Sequence, residues 1–338
     1  MSLLGKYPCD NTIAPTYLSF ATTSCTALIM AVATVGNILV ILAVYLNPNK
    51  DLRSPFSYFV ANLSFADLVV GVVTAPLGTA FHIMEGLGMV NDRFKDSMHT
   101  TYFISCTASL LSLTALALDR YVAITYPLIY RTNLSPTRVL LVSMVLWIIS
   151  ILLSLLYYVV GYNRYRFIFA STAVGTAFLV LMFTNAKIFK YLRFQVKQWD
   201  DWHDSSLESL AKKRAMEWEK KITKTLVIVL VLFLSCYLPS SVCIYIINFC
   251  TDCNCEFIHW VRDFQFVLVM ANSAVNPFVY AWRLQNFRKS FKSILTCRAC
   301  ARRARPISLK IQSLMAIQHV QQEDIRNNQV EISLEEKW

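Results

Sequence analysis

Seven long stretches with few or no charged side chains dominate the sequence. Residues 11–49 contain no Asp, Glu, Lys, Arg or His, and Asp67 is the sole formal charge between residues 54 and 84. Five further stretches lack Asp, Glu, Lys and Arg: 97–118, 139–163, 167–186, 225–251 and 264–282. Each can hold the roughly 20 residues that a helix needs to cross about 30 Å of hydrocarbon. Because none alternates like a barrel strand, they predict an all-α membrane protein with a bundle of seven transmembrane helices.

Basic residues predict how this bundle is oriented. The chain has 32 Lys and Arg residues, and all but six lie at one end of the bundle if the N-terminus is outside. The six are Lys6, Arg93, Lys95, Arg164, Arg166 and Arg262. Basic residues concentrate on the cytoplasmic side of membrane proteins. We therefore expect a multi-pass plasma-membrane protein with its N-terminus outside. The net charge of +11 then indicates a basic cytoplasmic face next to anionic lipid, and not a nucleic-acid-binding surface.

The remaining segments complete the domain organisation. We expect an extracellular N-terminus (1–20), a transmembrane domain (21–284), an amphipathic helix (285–296) and a cytoplasmic tail (297–338). The amphipathic helix places apolar side chains on one face and basic ones on the other, which is typical of a helix in the membrane interface. These are Phe287, Phe291, Ile294 and Leu295, against Arg288, Lys289 and Lys292.

Two cysteines and two connecting loops are the remaining features of the sequence. Cys297 and Cys300 follow the amphipathic helix and are palmitoylation candidates, with plain reduced thiols as the alternative. The second outer loop is expected to be very short, around 161–166. The third inner loop, near 190–220, is expected to consist of helical extensions joined by a polar break.

Asp67 is the most unusual polar residue in the predicted spans. An ionisable group inside a membrane is costly and is treated as functional by default. Its expected partners on other spans are Asn37, Ser109, Asn272, Ser273 and Asn276. A carboxylate surrounded by hydroxyls and amides suits a sodium ion. A protonated Asp67 in a hydrogen-bond network is the alternative, and both interpretations stay open.

Prolines inside the spans predict bent helices. Pro76, Pro239 and Pro277 each remove a backbone hydrogen bond and can kink a helix. A kinked helix with aromatic or amide neighbours can adopt two arrangements, as a molecular switch requires. Kinks that serve packing alone are the alternative.

Six short motifs appear in order, one on each of six spans. They are GNILV at 36–40, NLSFADL at 62–68, DRYVAITYPLIY at 119–130, Trp147, CYLP at 236–239 and NPFVY at 276–280. Together they resemble rhodopsin-like (class A) G-protein-coupled receptors over residues 20–300. The resemblance implies a receptor whose partners are an extracellular ligand and a heterotrimeric G protein.

The same resemblance assigns a switch at the inner end of the bundle. Arg120 would be held by Asp119 and Glu219 until activation, when it would abut the C-terminus of Gα. Tyr121 and the residues Asn276, Pro277 and Tyr280 belong to the same switch motifs. Two positions depart from the family pattern. Asn185 stands where most relatives have a switch tyrosine, and Tyr237 replaces the usual tryptophan.

Two cysteine-containing segments at the outer end of the bundle resemble segments of two receptor groups. The segment FCTDC at 249–253 resembles adenosine receptors, which implies a disulfide between Cys250 and Cys253. The segment DCNCEF resembles melanocortin receptors, in which an N-terminal cysteine bonds to this loop, as Cys9 could to Cys255. Free thiols are the alternative. The family's usual disulfide from span three is missing, because neither 91–101 nor 148–190 contains a cysteine.

The residues at three expected pocket positions differ from those that the resembling receptor groups use to bind their ligands. Tyr102 stands where amine receptors have Asp, Met270 where opsins have the retinal Lys, and Ile244 where adenosine receptors have Asn. A purine-like, lipid or peptide ligand is therefore expected rather than a biogenic amine or retinal. The pocket candidates, for each of which ordinary packing is the alternative, are Tyr102, Cys106, Tyr237, Ser240, Ser241, Ile244, Phe266 and Met270.

Other classes of function are weighed against the receptor. A receptor that signals constitutively or not at all would follow from Asn185 and Tyr237. An ion-coupled transporter could use Asp67, but the spans lack the paired broken helices of that class. An enzyme is not expected, since the five His residues are scattered and no glycine-rich phosphate loop is present. No cofactor is expected apart from an allosteric sodium ion at Asp67.

Overall fold

The computed structural model describes residues 9, 12–48, 51–127, 130, 135–200, 207–250 and 253–296, without the side chains of 192, 194–200, 207–216 and 218–220. Seven of its helices are long and apolar enough to cross a membrane, which confirms the predicted bundle. The helices are α1 (Thr16–Leu46), α2 (Pro55–Gly86), α3 (Asp92–Thr125), α4 (Pro136–Val160), α5 (Tyr162–Ile168, Phe169–Val174 and Gly175–Asp200), α6 (Leu207–Phe249), α7 (Cys255–Arg283) and α8 (Gln285–Leu295).

Polar caps explain where four of these helices begin. The side chains of Ser54, Asn91, Ser135 and Asn254 each accept a hydrogen bond from a backbone N–H in the first helical turn. Pro55 and Pro136 follow two of these caps, at a position where the missing N–H of proline costs nothing. Each capping side chain lies within three residues of the N–H that it binds, so these helix starts are encoded locally.

The bundle exposes large apolar side chains on its outside and buries many polar ones beside its apolar core. Val159 and Leu152 on α4 are 83% and 61% exposed, as expected for side chains that meet lipid. Serine, threonine and asparagine side chains fill much of the interior instead, including the fully buried Asn37 and Ser64. Helix α3 lies at the centre, where it packs against α2, α4, α5 and α6. Small polar residues let helices approach closely inside a membrane protein.

Two helices contain a widened turn. Val70–Thr74 in α2 and Phe169–Val174 in α5 are π-helical. The turn in α2 directly precedes Pro76, so it accommodates a proline without breaking the helix. The turn in α5 has no proline beside it. Pro239 and Pro277 lie inside the continuous helices α6 and α7.

Gly161 alone connects α4 to α5. Its backbone has a φ of 85°, a region that glycine enters without steric cost. The expectation of a loop across 161–166 is therefore wrong, because Tyr162–Ile168 already forms the first turns of α5. This difference moves Arg164 and Arg166 from a loop onto a helix. The third inner segment agrees better with expectation, since α5 extends to Asp200 and α6 begins at Leu207.

Helix α8 follows α7 after the single residue Leu284 and falls within the predicted 285–296. Its apolar side chains differ in burial: Phe287 is buried, Phe291 and Ile294 are half-buried, and Leu295 is exposed. Phe287 packs against Tyr280 of α7, with ring centroids 5.9 Å apart. This contact fixes α8 to the inner end of the bundle. Cys297, Cys300 and the tail to residue 338 lie outside the described residues.

Candidate functional site

A deep cavity opens between α2, α3, α5 and α7 near the N-terminal end of the bundle. Its volume is about 70 Å³. Aromatic rings form much of its wall, among them Phe81, Tyr162 and Phe266. The polar side chains that line it are His82, Lys95, His99, Tyr102, Asn163, Arg166, Arg262, Asp263 and Gln265. An apolar wall with a few convergent polar groups is the usual form of a ligand site.

Gln265 closes this cavity from below. Its side-chain amide donates hydrogen bonds to the Tyr102 hydroxyl at 2.9 Å and to the Ser240 hydroxyl at 3.2 Å. These bonds join α7 to α3 and α6. Of the eight pocket candidates, Tyr102 and Phe266 line the cavity. Cys106, Tyr237, Ser240, Ser241, Ile244 and Met270 do not line it, and their contact with a ligand stays a prediction.

Arg262 organises the acidic residues beside the cavity. Its guanidinium forms two 2.8 Å hydrogen bonds to Glu85 of α2 and one of 2.8 Å to its neighbour Asp263. The His82 ring lies 3.2 Å from Glu85 and 3.8 Å from Asp263. The three side chains His82, Glu85 and Asp263 could offer metal ligands. Arg262, however, already engages both carboxylates, so the arrangement is an ion pair network.

A second cavity, of about 260 Å³, lies above the deep one, and we call it the rim cavity. It shares Phe81, Lys95 and Arg262 with the deep cavity, so the two spaces meet at these residues. Cys9 and Thr12, from the segment before α1, line its upper side. This segment therefore reaches over the mouth of the bundle.

Two disulfide bonds hold the rim. Cys9 is joined to Cys255 at the start of α7, with their Cα atoms 5.4 Å apart. Cys250 is joined to Cys253 in the connection between α6 and α7, with a Cα separation of 5.8 Å. Both separations are usual for disulfides. Thr12 also lies within hydrogen-bond distance of His259, at 3.2 Å.

Hydrogen bonds and stacked rings join the start of α3 to α4 and α5. Tyr157 donates a 2.6 Å hydrogen bond to Asp96, and the hydroxyls of Thr100 and Tyr158 are 2.8 Å apart. The ring of Tyr162 lies parallel to the ring of His99, with centroids 3.8 Å apart. These contacts fix the start of α5 against α3.

Asp67 is fully buried in the middle of the bundle. Ser109 of α3 donates a 2.9 Å hydrogen bond to one carboxylate oxygen, and Asn276 of α7 donates one of 2.8 Å to the other. Asn37 of α1 instead donates to the backbone oxygen of Ser273, at 3.0 Å. Its own side-chain oxygen is buried without a hydrogen-bond partner among the described residues. Helices α2, α3 and α7 thus meet at Asp67. The fifth expected partner, Asn272, is buried but forms no hydrogen bond to Asp67.

Arg120 lies at the opposite end of α3 and is 4% exposed. Its guanidinium donates to Asp119 at 2.8 Å and to the hydroxyl of Tyr130 at 2.6 Å. Tyr130 in turn donates to Asp119 at 3.0 Å. The guanidinium also lies 4.8 Å from the centre of the Phe56 ring. The predicted partner Glu219 lies outside the described side chains.

The remaining switch residues occupy separate positions. Tyr280 is fully buried, and its hydroxyl has no hydrogen-bond partner among the described residues. Pro277 packs against Gly36 so closely that a Cβ atom at Gly36 would lie 2.9 Å from the proline ring. Tyr121 is half-buried, and its ring lies 6.4 Å from that of Tyr126.

The sequence motifs do not identify most of the residues that line the two cavities. They assign no role to Tyr130 or Gln265, and Arg166 falls in the expected loop. Tyr130 lies within a quoted motif, which was a usable signal. Gln265 and Arg166 have no local signal, because their positions depend on contacts between distant helices.

A seven-helix bundle with a polar cavity at one end and a buried arginine cluster at the other defines a seven-transmembrane receptor. The model of the seven-transmembrane receptor (rhodopsin) family matches residues 36–167 and 161–280. The chain therefore belongs to this family and is a class A G-protein-coupled receptor.

Curated relatives agree with this assignment. The human adenosine receptor A2a is 30% identical over 304 residues, which cover 79% of this chain and 70% of that receptor. The adenosine receptor A2a of Canis lupus familiaris is 29% identical, covering 81% and 72%. The histamine H2 receptor of the same species is 30% identical, covering 89% and 86%. All three are receptors rather than enzymes.

Proposed function

We propose that this receptor carries a signal from a ligand in the deep and rim cavities to a heterotrimeric G protein at the opposite end of the bundle. The cluster of Arg120, Asp119 and Tyr130 carries the proposal. A buried arginine held by a carboxylate and a phenol stabilises one state of the inner end. A partner that binds Arg120 in another state replaces these contacts and shifts the equilibrium.

In this proposal the N-terminal end faces the outside of the cell. The predominance of basic residues at the other end supports this orientation. The two disulfides of the rim support it too, because such bonds persist in oxidising surroundings. Helix α8 then lies along the cytoplasmic interface, with Arg288, Lys289 and Lys292 exposed to lipid head groups.

Asp67 is proposed as an allosteric sodium site. The buried oxygen of Asn37 without a partner supports this, because sodium prefers oxygen ligands. Asp67, Ser109 and Asn37 would hold the ion, which would supply positive charge in the middle of the bundle. The hydrogen bond from Asn276 to Asp67 then links the ion site to α7.

A receptor that signals weakly or constitutively is the second candidate. Asn185 favours it, since its amide donates 2.8 Å to the Leu181 carbonyl of its own helix. Its side-chain oxygen has no hydrogen-bond partner among the described residues. The residue therefore lacks the contact between helices that a switch tyrosine would make. If this candidate is correct, the Asn185→Tyr variant and the parent differ in the signalling output measured without ligand.

Substitution of Arg120 tests the proposed function. Cells that express the parent or Arg120→Ala at equal surface density are compared for cAMP and calcium, without ligand and with adenosine, lipid and peptide panels. We expect Arg120→Ala to abolish the output. Arg138→Ala, which removes an exposed basic side chain near the same end, is the matched control. Equal output from the parent and Arg120→Ala would contradict the assigned role.

A further inference from the structure

Arg166 is a buried cation that has no polar partner in the part of the chain that the structure describes. It is 2% exposed, and none of its three guanidinium nitrogens makes a hydrogen bond to any described residue. The one interaction found for its guanidinium in that part of the chain is with the ring of Tyr162, 5.0 Å away. A buried charge that lacks both an ion pair and hydrogen bonds opposes folding. Such a residue is therefore expected to serve binding.

The nearby carboxylates are engaged elsewhere. Glu85 and Asp263 both bind Arg262, as described above. Asp96 accepts the hydrogen bond of Tyr157 at 2.6 Å. None of these acids forms an ion pair with Arg166 among the described contacts. Arg166 thus lines the deep cavity with a charge that no described side chain compensates.

The cavity around Arg166 also favours negative charge. Lys95, Arg166 and Arg262 line it, together with the carboxylate of Asp263. Arg262 is paired with Asp263 and with Glu85, which lines the rim cavity beside Lys95 and Arg262. Because both carboxylates are held by Arg262, an anionic group of a ligand is the partner that suits the buried guanidinium of Arg166.

We propose that the deep cavity binds the anionic group of the receptor's ligand, a carboxylate or a phosphate, against the guanidinium of Arg166. The proposal rests on the proposed function, since it names the ligand class of the same site. The planar guanidinium presents a fork of N–H donors that matches either anion. A cavity of about 70 Å³ fits such a head group, and the aromatic walls and the rim cavity receive the less polar body. Cationic amines are disfavoured by the same charges.

Thermal unfolding of the purified full-length receptor tests this without any G protein. The probes, compared at constant ionic strength, are octanoate with its neutral and cationic analogues octanol and octylamine, inorganic phosphate, and lysophosphatidate. We expect at least one anion to raise the melting temperature of the parent when octanol and octylamine do not. A response to phosphate or octanoate would indicate a water-soluble anion, and a response to lysophosphatidate alone would indicate an anionic lipid. No shift with any anion overturns the proposal.

Variants at Arg166 separate binding from structure. Arg166→Gln should weaken the apparent affinity for the active anion by at least about thirtyfold, as expected when one partner of a buried charged pair is removed. Arg166→Met should also lose the response, yet melt at or above the parent's temperature without a probe, since it removes an uncompensated charge. Arg164→Met, at an exposed position two residues earlier, should behave like the parent. An anion response retained in Arg166→Gln, or a lower melting temperature of probe-free Arg166→Met, overturns the proposal. An anion response in the parent that coexists with no Arg120-dependent signal would contradict the proposed function alone.

Discussion

Asn276 donates a 2.8 Å hydrogen bond to Asp67 and thereby joins α7 to α2 in the middle of the bundle. Ser109 occupies the other carboxylate oxygen, so the bond also connects the central helix α3. Whether Asp67 is charged therefore affects how α2, α3 and α7 pack against one another. Any ligand or ion that favours one arrangement of these helices must act through such shared contacts.

Sodium should stabilise the parent receptor but not Asp67→Asn. The amide keeps one oxygen, which can accept the hydrogen bond of Asn276, and its NH2 group can donate to the Ser109 hydroxyl, but it carries no charge for a cation. The measurement is thermal unfolding in sodium chloride against potassium chloride, at equal ionic strength. In chains of roughly 150–250 residues, about 1 kcal/mol of ion binding corresponds to roughly 2–4 °C, so a smaller shift is expected for this longer chain. A parent that melts at the same temperature in both salts would favour the protonated interpretation of Asp67.

Tyr130→Phe should raise ligand-free G-protein activation. The substitution removes the hydroxyl that bridges Arg120 and Asp119 but keeps the ring. A hydrogen bond to a charged group contributes about 1.5–3 kcal/mol, so the restrained state loses stability relative to the active one. We expect a several-fold increase in nucleotide exchange on the G protein. Tyr126→Phe, at a half-exposed tyrosine nearby, is the matched control. An unchanged or lower exchange rate would contradict the restraining role of Tyr130.

Gly36→Ala should destabilise the bundle where α1 meets α7. The added Cβ would lie 2.9 Å from the ring of Pro277, which belongs to a helix and cannot move freely. Overpacking of this kind costs about 1–3 kcal/mol. The matched control is Gly175→Ala on α5, where no atom lies within 4 Å of the new Cβ. It should be neutral or slightly stabilising, since alanine favours helix. Equal melting temperatures for the two variants would refute this packing argument.

Gln265→Ala should open the floor of the deep cavity. The variant loses the hydrogen bonds to Tyr102 and Ser240, and Cys106 lies one helical turn beyond Tyr102 on α3. Cys106 is a buried free cysteine in the parent. We expect a thiol reagent applied to the N-terminal side to label it faster in Gln265→Ala. The same variant in a Cys106→Ser background should not show the increase. Labelling at the parent's rate would mean that other side chains close the floor.

The sequence predicts the spans of this fold because each depends on local composition. A run of some 20 apolar residues identifies a span, and a cap such as Ser54 or Asn254 identifies where it begins. An ionisable side chain inside a span requires hydrogen-bond partners, so the sequence could offer five candidates for Asp67, and two of them, Ser109 and Asn276, bond to its carboxylate.

The rest depends on how distant helices meet. Arg166 follows a glycine and lies beside other polar residues, which is the composition of a loop. The turn at Gly161 and the stacking of Tyr162 on His99 place Arg166 inside the bundle. Gln265 reaches Tyr102, 163 positions away in the chain. No local pattern contains such information, so the depth of the cavity could not be predicted.

The bond between Cys9 and Cys255 turns most of the chain into a closed loop. It joins positions 246 residues apart, so the main chain from α1 to the start of α7 forms a covalent ring. A single cut anywhere in that ring, for example between α5 and α6, leaves both fragments attached through sulfur. After such a backbone cut the receptor therefore remains one covalent molecule, whereas a chain without this bond would separate into two fragments.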